Sequence, residues 1–104
     1  MEARAFFEQL AARADPARLA GIEHTYRFEI DGEGSWLVAV RGGAVTVTEG
    51  GEGVADATVR TTGAVFARIL AGEQSPMTAY MTGKVEVRGD LGAVMKLQRL
   101  LPRG

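Results

Sequence analysis

The residues from His24 to Asp31 alternate without a break. His24, Tyr26, Phe28 and Ile30 fall on one side of an extended chain. Thr25, Arg27, Glu29 and Asp31 fall on the other. A period of two with one apolar side predicts a half-buried strand, and therefore a sheet with one face on a core and one in water. The pattern then repeats. Trp36, Val38 and Val40 share one side of a second strand over residues 35–41, after a turn flanked by Gly32 and Gly34. Gly42-Gly43 predicts a tight hairpin, because glycine tolerates the positive φ that such turns require. Val45 and Val47 follow in a third strand. A glycine-rich loop, Glu49 to Gly53, leads to a fourth strand carrying Ala57, Val59 and Thr61. Val85 and Val87 alternate with Lys84, Glu86 and Arg88 in a fifth.

Between and around these strands the period changes. Phe6, Phe7, Leu10, Ala11 and Ala14 recur at helical spacing and predict a helix over residues 1–14, ended by Asp15-Pro16 because a residue before proline disfavours the α region. Val65, Phe66, Ile69 and Leu70 mark a helix over 63–71, capped by Thr61 or Thr62 and followed by Gly72. Ser75-Pro76 opens a short helix bearing Met77, Tyr80 and Met81, which Gly83 closes. Asp90 caps a last helix over 91–101, with Leu91, Val94, Met95, Leu97, Leu100 and Leu101 as its apolar residues. One helix, four strands, two helices, a strand and a helix give an α+β fold with the helices gathered on one face of the sheet.

Composition narrows the function. The 104 residues make one domain, 1–104, and carry 12 basic against 13 acidic side chains. A net charge of -1 argues against a nucleic-acid binder, which needs a cationic surplus. There is no cysteine and one histidine, so disulfides, thiolate catalysis and Cys-based zinc sites are excluded, and neither a metal nor a cofactor is expected. No apolar run approaches the length of a membrane span, and the charged N-terminal stretch lacks a signal-peptide core, so a cytoplasmic location is expected.

Catalytic constellations are missing too. His24 points inward beside Tyr26 and reads as structural. Tyr26 and Asp31 lie on opposite strand faces, which rules them out as an acid/base pair. Thr82-Gly83-Lys84 lacks the earlier glycine and the following hydroxyl of a phosphate loop. Asp90 would repel a phosphate from the helix it caps. Ser75 reads as a cap with no base to activate it. An enzyme is not expected.

Residues 75–101 read SPMTAYMTGKVEVRGDLGAVMKLQRLL. This stretch resembles the signature of the sterol-carrier-protein-2 family in its aromatic-Met pair Tyr80-Met81, its Gly83-Lys84 step, and Gly89-Asp90 opening a helix with Met95-Lys96-Leu97. Upstream, Trp36, Gly42-Gly43 and Ala55-Asp56 match the family's order of a Trp strand, a glycine hairpin and an Ala-Asp strand. The resemblance spans roughly residues 20–101. It implies a five-stranded, mostly antiparallel sheet covered on one face by helices, with an apolar tunnel between the layers. It also implies a lipid or fatty-acyl ligand: a fatty acid, acyl-CoA, phospholipid or sterol-like molecule. The chain ends Pro-Arg-Gly where peroxisomal members end in a Ser-Lys-Leu type tripeptide, which favours a bacterial-type lipid binder over a peroxisomal sterol carrier.

On that resemblance the candidate lining residues are Tyr26, Phe28, Trp36 and Val38 from the sheet, and Phe66, Ile69, Leu70, Met77, Tyr80, Met81 and Met95 from the helices. Methionine suits such walls because it is flexible and polarizable. Emission of Trp36 should then respond to ligand. Periodicity alone is equally satisfied if these residues form a filled core. A second reading keeps the fold without obligatory cargo, as an accessory or scaffold protein for an enzyme of lipid or quinone synthesis. Further partner expectations are a transient membrane contact through Lys84, Arg88, Lys96, Arg99 and Arg103, a homodimer through the Thr46 and Thr48 edge, and a partner enzyme.

Overall fold

The central strand explains the arrangement of the rest. In the computed structural model, which describes residues 3–50, 53–97 and 99, β1 spans His24–Asp31 and needs a neighbour on each side. On one side it meets β2, Gly34–Arg41, in an antiparallel hairpin that aligns Tyr26 with Val38 and Phe28 with Trp36. β2 turns at Gly42-Gly43 into β3, Ala44–Glu49. The chain then returns past β1 and lays β4, Ala57–Thr62, along its free edge in parallel, with Phe28 opposite Val59. β5, Val85–Gly89, pairs antiparallel with β4. The order is β3-β2-β1-β4-β5, a mixed sheet with β3 and β5 at the edges.

Among the described residues five helices accompany the sheet. They are α1 (Ala3–Leu10), α2 (Pro16–Leu19), α3 (Gly63–Leu70), α4 (Pro76–Met81) and α5 (Leu91–Leu97). The first helix is shorter than its periodicity predicts, and Asp15-Pro16 does more than end it. Asp15 caps α2, its Oδ1 accepting from the Ala17 N–H at 3.0 Å, with Pro16 in the first turn. Proline lacks an N–H that the first turn would leave unbonded anyway, so one dipeptide both stops a helix and starts the next. Thr62, not Thr61, caps α3 and accepts from the Val65 N–H. Leu100 and Leu101, expected on the last helix, lie outside the described residues.

The inner sheet face is filled on one half. Phe7 of α1 is 1% exposed and lies against four other aromatic rings. It stacks on Trp36 (centroids 4.6 Å apart) and on Phe66 of α3 (5.6 Å), tilts over Phe28 (5.1 Å) and meets Phe6 edge-on. Such offset and edge contacts add to simple burial. Leu10, Leu19, Ile22, Val38, Val40 and Val45 complete this half. The outer face is a charged lattice. Cross-strand pairing places Arg60 between Glu29 and Glu86, and Thr58 between Arg27 and Arg88. Opposite charges facing each other across strands keep this face solvated and in register. Among the described residues no helix is long and apolar enough to cross a membrane.

Candidate ligand-binding cavity

The other half of the inner face is hollow. The inward positions of β4 and β5 are Ala57, Val59, Thr61, Val85 and Val87, short side chains set opposite three helices. Where the helices bridge over them a cavity of about 220 Å³ remains and opens to solvent. Phe28, Val59, Thr61, Val85 and Val87 form its sheet wall. Phe66 and Ile69 come from α3. Pro76, Met77 and Tyr80 come from α4, and Leu91, Val94, Met95 and Leu97 from α5. Met77 (40% exposed), Tyr80 (43%), Leu91 (62%) and Met95 (61%) make the rim.

The walls are almost wholly apolar. The described lining carries two hydroxyls, Thr61 within and Tyr80 at the rim. Thr61 Oγ1 already donates to the Lys84 carbonyl at 2.9 Å. No buried side-chain nitrogen or oxygen lacks a partner among the described residues. Below the rim a guest therefore meets hydrocarbon and the already bonded Thr61 hydroxyl, which suits an alkyl segment and penalises a buried head group. Among the described residues no cluster of His, Asp and Glu could hold a metal ion.

Phe28, Phe66, Ile69, Met77, Tyr80 and Met95, all expected from the sequence, line this cavity. Tyr26, Trp36, Val38, Leu70 and Met81 do not. Trp36 lies under α1, stacked on Phe7, and is not among the residues that line the cavity. Val38 and Leu70 are buried in the solid core, and Met81 points outward at 76% exposure. The sequence reading missed Val59, Thr61, Pro76, Val85, Val87, Leu91, Val94 and Leu97 as lining. One signal could have found the strand residues among them: inward positions holding only Val and Thr beneath a helical cover leave space that aromatic positions would fill.

Two polar knots hold the cover. Ser75 Oγ accepts from the Thr78 N–H and starts α4. At α5, Asp90 Oδ1 accepts from the N–H groups of Gly92 and Ala93, while the Asp90 N–H donates to the Asp56 carbonyl at 2.8 Å. Asp56 itself grips β1: its N–H donates to the Thr25 carbonyl and its Oδ2 accepts from the Thr25 N–H at 2.7 Å. His24 Nδ1 lies 3.7 Å from the same oxygen.

Tyr26 is the buried link between sheet and cover. It is fully buried, and its hydroxyl donates to the Ala93 carbonyl of α5 at 2.6 Å. Burial pushes the phenol up to about 12. The carboxylates of Asp56 and Asp90 add to the effect and Arg99 opposes it. The folded pKa lies above the unfolded value near 10, so the native state holds its proton longer than the unfolded chain does. Its contribution is complete below pH 10 and disappears as pH rises through 12, a loss on the order of 2–3 kcal/mol. Tyr26→Phe should cost about 1–2 kcal/mol at neutral pH, because the buried Ala93 carbonyl loses its donor. In urea titrations from pH 8 to 12 the gap between the two proteins should close as pH rises. A gap that stays constant would contradict this assignment.

The model of the SCP-2 sterol transfer family matches residues 5–102. Sterol carrier protein 2 of Homo sapiens is 32% identical over 68 residues, which are 65% of this chain and 12% of the human protein. Among solved structures, the sec-alkylsulfatase Pisa1 from a Pseudomonas species superposes with a TM-score of 0.79 at 27% identity, over 95% of this chain and 16% of that one. Palmitated SCP2L2 from Aedes aegypti superposes with a TM-score of 0.81 at 21% identity, over 99% of this chain and 97% of the mosquito protein. The chain thus spans a small part of some relatives and nearly all of another.

Proposed function

The chain belongs to the SCP-2 sterol transfer family, and from that premise we propose that it binds a lipid, with the cavity between β4, β5 and helices α3 to α5 as the site. The observation that carries this reading is the location of the void. It lies where the covering helices present Met77, Tyr80 and Met95 and strands β4 and β5 offer only short side chains. An unliganded core would gain by closing such a space, since unfilled apolar volume costs stability. The mosquito relative is described as palmitated, which makes palmitate the natural first probe.

At about 220 Å³ the cavity is smaller than the roughly 300–1,000 Å³ of typical small-molecule sites. It holds part of an acyl chain as it stands. The rest lies along the rim or needs the methionine walls to give way, which their flexibility permits. A dozen methylenes contribute about 10 kcal/mol gross at roughly 0.8 each. Association consumes about 4–15 kcal/mol of such a sum. Micromolar affinity follows, which suits a carrier that must release what it holds. The polar groups of the described lining are the Thr61 and Tyr80 hydroxyls, and the reading is of a binder.

Calorimetric titration of delipidated protein with palmitate tests this. Val87→Trp, which puts an indole into the void, should weaken palmitate binding at least about tenfold, the equivalent of displacing two methylenes. Thermal stability should change little. Protein that takes up neither palmitate nor a sterol would refute the reading. A second reading has one observation in its favour: in the Pseudomonas sulfatase this fold is a minor part of an enzyme chain. The domain would then serve beside an enzyme, presenting or sheltering its lipid substrate. A delipidated protein that ignores acyl chains yet forms a stable complex with a biosynthetic enzyme of its host would favour that reading.

A further inference from the structure

The sulfur of this chain is placed unevenly. There is no cysteine, and of the four methionines all but Met1 lie on two helices that cover the cavity, Met77 and Met81 on α4 and Met95 on α5. Methionine commonly fills irregular gaps in buried cores. The described core of this protein holds none, and is built from Phe, Leu, Ile, Val and Ala with Tyr26 and Trp36. The three methionines reach solvent instead: Met77 is 40% exposed, Met95 61% and Met81 76%. They differ in one respect. Met77 and Met95 line the cavity mouth, and Met81 does not.

An exposed thioether is a target for peroxides. Cysteine thiolates compete for the same oxidant, and this chain has none. In the reaction the sulfur attacks one oxygen of hydrogen peroxide, the O–O bond breaks and an S–O bond forms. The second oxygen leaves with both protons as water. The sulfur is oxidised by two electrons and the peroxide is reduced by the same two. The product is a sulfoxide, polar where the thioether was apolar. Its oxygen needs a donor or water. Below the rim the described lining supplies only the Thr61 hydroxyl, which already donates to the Lys84 carbonyl at 2.9 Å. An oxidised Met77 or Met95 therefore keeps its oxygen in water. Either the side chain turns outward and withdraws part of the apolar wall, or water follows it into the mouth. Both weaken the hold on an alkyl chain.

We propose that Met77 and Met95 form a redox-sensitive site, at which oxidation by peroxide lowers the affinity of the cavity for its ligand and a seated ligand shields both sulfurs. This rests on the carrier reading above, and it adds a control on release. The change is reversible. Methionine sulfoxide reductases, one for each sulfoxide epimer, draw two electrons from a dithiol and release the oxygen as water. Position keeps the change local: neither side chain belongs to the buried core, so the fold stands while the mouth alters.

The test treats delipidated protein with hydrogen peroxide, follows each methionine by peptide mass spectrometry, and measures palmitate binding by calorimetry before and after. Affinity should fall at least about tenfold once Met77 and Met95 carry oxygen, with Tm little changed, and treatment with both reductases should restore it. Palmitate present during oxidation should slow the reaction at Met77 and Met95 and leave the rate at Met81 as it was. Met81 does not line the cavity, so Met81→Leu should keep both palmitate binding and its loss on oxidation. In the protein carrying Met77→Leu and Met95→Leu together, peroxide should leave the affinity, whatever its starting value, unchanged. The proposal is overturned if full oxidation of Met77 and Met95 leaves palmitate binding intact, or if the double variant loses binding as steeply as the wild type. It is equally overturned if palmitate protects Met81 as well as the other two, or if binding and Tm collapse together, which would mark damage to the fold. Untreated protein that takes up no palmitate would instead remove the carrier reading, and the proposal with it.

Discussion

Phe7→Ala should cost about 3–5 kcal/mol, the range for emptying an aromatic site in a packed core. For a domain of this size that corresponds to a fall in Tm of about 15–30 °C. The reason is position. Phe7 joins three layers: its own helix through Phe6, the sheet through Trp36 and Phe28, and α3 through Phe66. Alanine would leave a gap bordered by rings that cannot shorten to fill it, so the site relaxes little. Urea unfolding followed by Trp36 emission is the measurement, since that indole stacks on Phe7 and is itself buried. Phe7→Leu keeps most of the volume and should lose clearly less. A loss below about 1.5 kcal/mol for the alanine variant would mean that α1 is not docked on the sheet as described.

Much of this architecture was legible in the sequence. The alternation in β1 names the buried residues Tyr26, Phe28 and Ile30, and the same rule sorts β2 and β5 correctly, because side chains on a strand must alternate. Capping chemistry located α3, α4 and α5 to within a residue or two at their starts. The parallel pairing of β1 with β4 was not legible. It depends on a long return of the chain past β1, and nothing in either strand's own residues encodes its neighbour. Asp15-Pro16 was ambiguous for another reason: the same two residues satisfy the requirements of both an end and a beginning.

The cavity exposes a deeper limit. Periodicity tells which side of an element faces inward but not whether the space beyond it is filled. Size then misleads. Trp36, Tyr26 and Val38 looked suited to a binding wall, yet they pack under α1 or beneath α5 and close the space around them. The void sits instead over Val59, Thr61, Val85 and Val87, where the side chains are too short to reach the helices. In this fold the lining is specified as much by small residues as by large ones.

Gly89→Ala is the second substitution expected to have a large effect, about 2–5 kcal/mol. Two causes combine. Gly89 ends β5 at φ 104°, a conformation that alanine adopts only under strain. A Cβ there would also run into the Asp56 carbonyl oxygen and lie 2.9 Å from Ala57 Cα. Both obstacles are backbone, so no rotamer change relieves them. Relief would require β5 to separate from β4, and that breaks more than a strand pair. The next residue donates its N–H to the Asp56 carbonyl and caps α5. The close approach at Gly89 therefore sets where the cover of the cavity begins. Gly83→Ala is the control: its φ of 80° is also positive, but a Cβ there meets nothing within 4 Å. It should lose only the conformational part, about 1–2 kcal/mol. Thermal unfolding of both variants, with palmitate titration of whichever remains folded, separates the two causes. If Gly89→Ala lost no more than Gly83→Ala, the β4–β5 contact could not be fixing the cavity's wall. If it lost more and also bound palmitate less well, the strand end and the cover would behave as one unit.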